Sequence, residues 1–114
     1  ATSGYGLYVK GDTLTSGVNT ITAIGSTSAS STAGSEQFGI RLSPSGGSGS
    51  SLYPYNQPTS YAYGASSTTQ VQIGSSSGPS ANTTFSLYYV GNISTLTEAG
   101  SYSATLTYTA VGSY

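Results

Sequence analysis

Polar and apolar residues alternate with a period of two along most of this chain. The clearest stretch is residues 101–111, where Tyr102, Ala104, Leu106, Tyr108 and Ala110 fall on one face and Ser103, Thr105, Thr107 and Thr109 on the other. Successive strand residues point to opposite sides, so the pattern predicts a half-buried strand with a threonine ladder on its open face. Residues 83–90 set Phe85, Leu87 and Tyr89 against Thr84, Ser86 and Tyr88. Tyr88 and Tyr89 are adjacent, so one of them must face out of the fold.

Shorter strands are expected upstream. Tyr5, Leu7 and Val9 alternate with Gly6, Tyr8 and Lys10, residues 18–24 are rich in β-branched side chains, and Phe38, Ile40 and Leu42 share a face. Residues 61–63 and 68–73 supply two more. No window carries a helical stripe, and Gly and Pro interrupt the chain too often for helices. The Gly/Ser tracts at 43–51 and 75–81 read as loops, and the Pro/Tyr stretch 53–58 as irregular chain unsuited to a central strand. About seven short strands separated by turn signals predict one domain over residues 1–114, an all-β, immunoglobulin-like β-sandwich.

Composition narrows what such a sandwich does. Charged residues make up only 4% of the 114, and there are 11 Tyr but no Cys, His, Met or Trp. Two cations, Lys10 and Arg41, give no basic patch for nucleic acid or anionic lipid, and no apolar run is long enough to span a membrane. Without His or Cys, nucleophilic catalysis reduces to Ser or Thr beside Lys10. Acid–base work reduces to a pair drawn from Asp12, Glu36 and Glu98, which fall in three separate loops. No enzyme, cofactor or metal is expected, since zinc wants His or Cys and calcium wants clustered oxygens. The chain opens on Ala1, as expected of an extracellular or cell-surface protein after signal-peptide removal.

Several groups remain as candidates. Asn82 and Asn92 each head an Asn-x-Ser/Thr acceptor triplet for glycosylation. Lys10, with Asn92 and Glu98, offers the residue types of an intramolecular Lys–Asn link. Tyr53, Tyr55, Tyr61 and Tyr63 cluster around the Pro stretch and, with Tyr88, are candidates for surface contact. Tyrosine suits such contact because it joins a large apolar ring to a polar tip. Those rings are expected to contact other subunits or to pack within the loops, the alternative being sugars stacked on them.

The segment from Thr83 onward resembles the closing strands of secreted fimbrial and spore-coat-type surface subunits. Ala99, Gly100 and Tyr102 match their turn, Glu98 stands where Pro is frequent, and the run from Gly34 to Ile40 is similar to an early strand of such domains. The resemblance implies a homopolymer: a structural subunit of a pilus-like filament or coat, with an adhesin-like or carbohydrate-binding surface module as the alternative. The residues allow the same reading, because a sandwich with so little charge cannot blunt its sheet edges. The expected donor to a neighbour's edge is the N-terminal strand within residues 1–12, with Tyr5, Leu7 and Val9 filling the acceptor groove.

Overall fold

The computed structural model describes residues 3–79 and 81–113. Ten strands follow in order: β1 (Tyr5–Lys10), β2 (Thr15–Ser16), β3 (Asn19–Thr20), β4 (Gly25–Ser30), β5 (Gln37–Ser45), β6 (Ser50–Ser51), β7 (Ser60–Tyr63), β8 (Val71–Ser76), β9 (Thr84–Asn92) and β10 (Thr107–Gly112). Among the described residues there is no helix. Two four-stranded antiparallel sheets, ordered β10-β1-β8-β6 and β4-β7-β5-β9, share one core, and β2 and β3 form a separate hairpin. The arrangement is that of a β-sandwich.

Inward alternation builds the core. Val9 from β1 and Ile73 from β8 meet Phe38, Ile40 and Leu42 from β5 and Ala62 and Tyr63 from β7, and Ile21 and Tyr55 from the connections join them. Phe38 and Tyr63 pack edge to face, with centroids 5.0 Å apart. Gly39 faces outward but is buried, because Ile24 and the Tyr61 Cβ would lie within 3 Å of any side chain there.

β5 and β9 pair along their full lengths, Gln37 opposite Asn92 through Ser45 opposite Thr84. This carries β5 into the first Gly/Ser tract, which was expected to be loop. Pro44 is tolerated there for a simple reason. It shares the parity of Leu42, whose N–H points away from β9 to the Tyr55 carbonyl, so the missing donor of Pro44 costs the β5–β9 ladder nothing. The second tract is likewise partly strand, since β8 runs through Ser76; Ser80 lies outside the described residues.

Two other expectations are corrected. Residues 18–24 do not form one continuous strand: only Asn19 and Thr20 pair, as β3, while Val18 sits 97% exposed at the tip of the β2–β3 hairpin, where Gly17 takes a positive φ of 61°, and Ile21 turns into the core. The strand forms instead at β4, whose Ser, Thr and Ala residues carry little hydrophobic signal. The closing strand is also shorter than its alternation suggests. Apart from an isolated bridge of Ser103 to Thr15, the paired stretch is residues 107–112, and every one of them is exposed. The sense of the alternation survives, since Tyr108 and Ala110 stand opposite Val9 and Leu7. The opposite sheet covers this edge only in part, and Tyr108 on the inner face of β10 stays 39% exposed.

Candidate functional site

The open edge of the sandwich lies between β9 in one sheet and β10 in the other. Tyr89, Val90 and Gly91 form one wall of an apolar cleft, Ala104, Leu106 and Tyr108 the other, and Leu14 and Phe38 contribute the rest of its lining; it encloses about 460 Å³. The hydroxyls of Tyr89 and Tyr108 meet across it at 2.6 Å. Burial, with the Tyr89 hydrogen bond second, pushes the Tyr108 phenol well above its ordinary value. Neither β9 nor β10 carries a charged residue, and each leaves one edge without a strand partner. Natural sheets usually guard such edges with charge, Pro or bulges.

β1 occupies a distinctive place. It lies between β10 and β8, paired from Tyr5 to Lys10 with the former and from Tyr5 to Val9 with the latter. Among the described residues β10 pairs with no other strand. Tyr5, Leu7 and Val9 point inward as their spacing predicts: Val9 is fully buried, Leu7 packs on the core, and the Tyr5 ring meets Phe85 edge-on at 6.4 Å. In the single chain this strand therefore pairs within its own domain. Ala1 and Thr2, the beginning of the expected donor, lie outside the described residues.

At the end of β1 the chain passes through Gly11, whose carbonyl accepts a hydrogen bond from the Tyr63 hydroxyl and whose N–H donates to Ser66. A positive φ of 140° and the close Thr105 carbonyl both demand glycine here. Burial, with Tyr55 and Asp12 adding smaller effects, pushes Tyr63 up to about 12.

The tyrosines do not assemble as the sequence suggested. Tyr55 and Tyr63 belong to the core, 3% and 1% exposed, and the expectation of surface contact fails for both. Tyr55 is drawn in by the turn over residues 53–56, where its hydroxyl accepts the Gly64 N–H. Tyr53 is exposed on its own. Tyr61 and Tyr88 are brought together on the outer face of the second sheet, one on each side of Arg41. The guanidinium carbon lies 3.9 Å from the Tyr88 ring centroid and 5.8 Å from that of Tyr61. Reading Phe38, Ile40 and Leu42 as inward already placed Arg41 outward, and the Tyr88/Tyr89 parity placed Tyr88 outward. Only the register that sets Arg41 opposite Tyr88 was missing.

The acids are equally separated. Glu36 accepts three hydrogen bonds, from the Thr22 N–H and hydroxyl at one oxygen and from the Thr97 hydroxyl at the other. These bonds, that from Thr97 foremost, hold its carboxyl below the usual range. Asp12 accepts the Ser67 N–H. Among the described residues no group of three metal-ligating side chains occurs, and the hydrogen bonds of Asn92 and Glu98 go to Ser31, Gln37 and Tyr102 and not to Lys10. Of the two glycosylation candidates, Asn82 is exposed. Asn92 is not free to accept a sugar without loss, because its Nδ2 donates to both Ser31 and Gln37. No protein-family model matches the chain, and neither the curated proteins nor the solved structures compared with it give a match.

Proposed function

We propose that this protein is a structural subunit of an extracellular filament or surface coat, without catalytic activity, which assembles head to tail by β-strand addition. In this reading the fold is an immunoglobulin-like sandwich, and in the polymer a neighbour's strand completes it. The observation that carries the proposal is the position of β1. It is the first strand, it is paired on both sides, and among the described residues it alone pairs with β10. The same strand from a second copy, entering the same slot, restores both ladders and returns Tyr5, Leu7 and Val9 to the same pockets. Exchange therefore costs little in contacts and propagates along a line if the chain continues from copy to copy. The sparse charge supports the reading too, since uncharged edges tolerate close packing of identical chains.

The test uses two variants beside the intact chain. One lacks residues 1–10. The other carries Leu7→Cys with Ala110→Cys, register partners whose disulfide ties β1 to its own sheet. Electron microscopy of negatively stained material should show filaments from the intact chain, none from the truncation, and none from the locked variant until it is reduced. Monodisperse small particles from the intact chain, or filaments from the oxidised lock, would overturn the proposal.

A further inference from the structure

Five charged side chains make up the whole complement of Asp, Glu, Lys and Arg. Two of the three acids are engaged within the fold, Asp12 by the Ser67 N–H and Glu36 by Thr22 and Thr97. The Glu98 carboxylate makes no hydrogen bond or ion pair among the described residues; the Tyr102 hydroxyl takes only its backbone carbonyl. Glu98 sits on the connection after β9, which also holds two large apolar side chains in solvent, Ile93 at 64% and Leu96 at 89% exposure.

This connection is held in one shape. Ser94 and Thr97 close a turn on each other, the Ser94 N–H donating to the Thr97 hydroxyl and the Thr97 N–H to the Ser94 carbonyl. The Leu96 N–H donates to the Ser94 hydroxyl, and the Thr97 hydroxyl anchors the turn to Glu36. Exposed apolar side chains on a fixed turn, next to one unpaired carboxylate, form a preorganised protrusion that loses little entropy on docking.

The complementary surface is on the same chain. Arg41 lies on the outer face of the second sheet, with Tyr88 stacked on one side and Tyr61 on the other. Its Nε is buried without a partner, and its guanidinium makes no hydrogen bond or ion pair among the described residues. A guanidinium fixed flat by aromatic rings presents its remaining N–H groups in the fork that suits a carboxylate. The rings beside it offer apolar surface for aliphatic side chains. Lys10, the other cation, stands at the end of β1 opposite Thr107 and has no aromatic stack.

We infer that the protrusion formed by Ile93, Leu96 and Glu98 docks on the Arg41–Tyr61–Tyr88 face of a second copy of this chain, with Glu98 paired to Arg41. The inference rests on the reading of the protein as a self-assembling subunit and names a second contact within that assembly. The two surfaces differ, so the contact is heterologous and leaves a free protrusion and a free face at opposite ends of every chain of contacts.

Charge exchange tests it. The variant R41E carries two like charges at the proposed contact, and so does E98R, so each should associate with itself at least tenfold more weakly by sedimentation velocity at low salt. An equimolar mixture of the two should recover association, because each protrusion then meets an opposite charge, and the double variant should recover it alone. Added salt should weaken association of the intact protein. Single variants that associate like the intact chain, or a mixture that stays as weak as its components, would overturn the inference. If R41E does not fold, E98R decides, because Glu98 is exposed and touches nothing through its carboxylate: unchanged association of E98R overturns the proposal. Should charge exchange have no effect while the Leu7–Ala110 disulfide still abolishes filaments, this contact falls and strand addition stands. An intact chain that remains monomeric at every concentration removes both.

Discussion

Tyr63→Phe isolates one hydrogen bond. The ring of Tyr63 is buried against Phe38, and phenylalanine keeps that edge-to-face packing. What disappears is the hydroxyl that donates to the Gly11 carbonyl. An intramolecular hydrogen bond is worth about 1 kcal/mol net, and a carbonyl left without its partner in a poorly solvated place adds to the loss, so about 1–2 kcal/mol is expected. For a domain of this size that lowers the melting temperature by about 4–8 °C. Thermal and urea unfolding should both report it, with an unchanged urea slope because the exposed surface is the same.

The pH dependence gives a second, sharper readout. Tyr63 rises from an ordinary value of 10.0 to about 12 in the folded chain, chiefly through burial. The folded state therefore resists ionisation of this phenol more than the unfolded state does. Its contribution is complete below pH about 10 and drains away as pH rises towards about 12. Tyr63→Phe should flatten that part of the alkaline limb. Equal stabilities for the two proteins at neutral pH, together with identical alkaline limbs, would refute the argument that this hydroxyl pins the end of β1.

Two further outcomes are expected. Gly4 has a φ of +92°, and a Cβ there would lie 1.8 Å from the Ser76 carbonyl oxygen, a backbone atom that cannot swing aside. Gly4→Ala should therefore cost about 3 kcal/mol or more, read as a lower urea midpoint or a failure to fold. Glu36 is held below its ordinary 4.5 by bonds to its charged form, so its contribution is present above that value and is lost as pH falls through its lower folded value. Glu36→Gln should lower stability at neutral pH and remove that acid limb, and an unchanged acid limb in urea titrations would sink the assignment.

How much could be read beforehand depends on where the hydrophobic signal resides. β1, β5, β7 and β9 were visible because large residues alternate in them, and Tyr5, Leu7 and Val9 face inward as their spacing requires. β4 was invisible because Gly, Ser, Thr and Ala pair with β7 through the backbone alone. Residues 18–24 misled because β-branched residues also suit a hairpin tip and a single core insertion, as Val18 and Ile21 do. The last strand showed the right faces and the wrong burial. Periodicity fixes which way Tyr108 points, whereas burial depends on whether another sheet lies beneath it. For Tyr55 and Tyr63 the polar tips and a Pro-rich neighbourhood leave surface contact and loop packing both open. The structure satisfies both tips internally, with Gly64 and Gly11.

The double pairing of β1 has a mechanical consequence. Antiparallel hydrogen bonds lie across the strand direction. A pull along β1 therefore stretches the bonds to β10 and to β8 together, in shear, instead of opening them one after another from an end. The strand in this slot therefore yields all at once or not at all, and the load passes directly into the middle of a sheet and not along its rim.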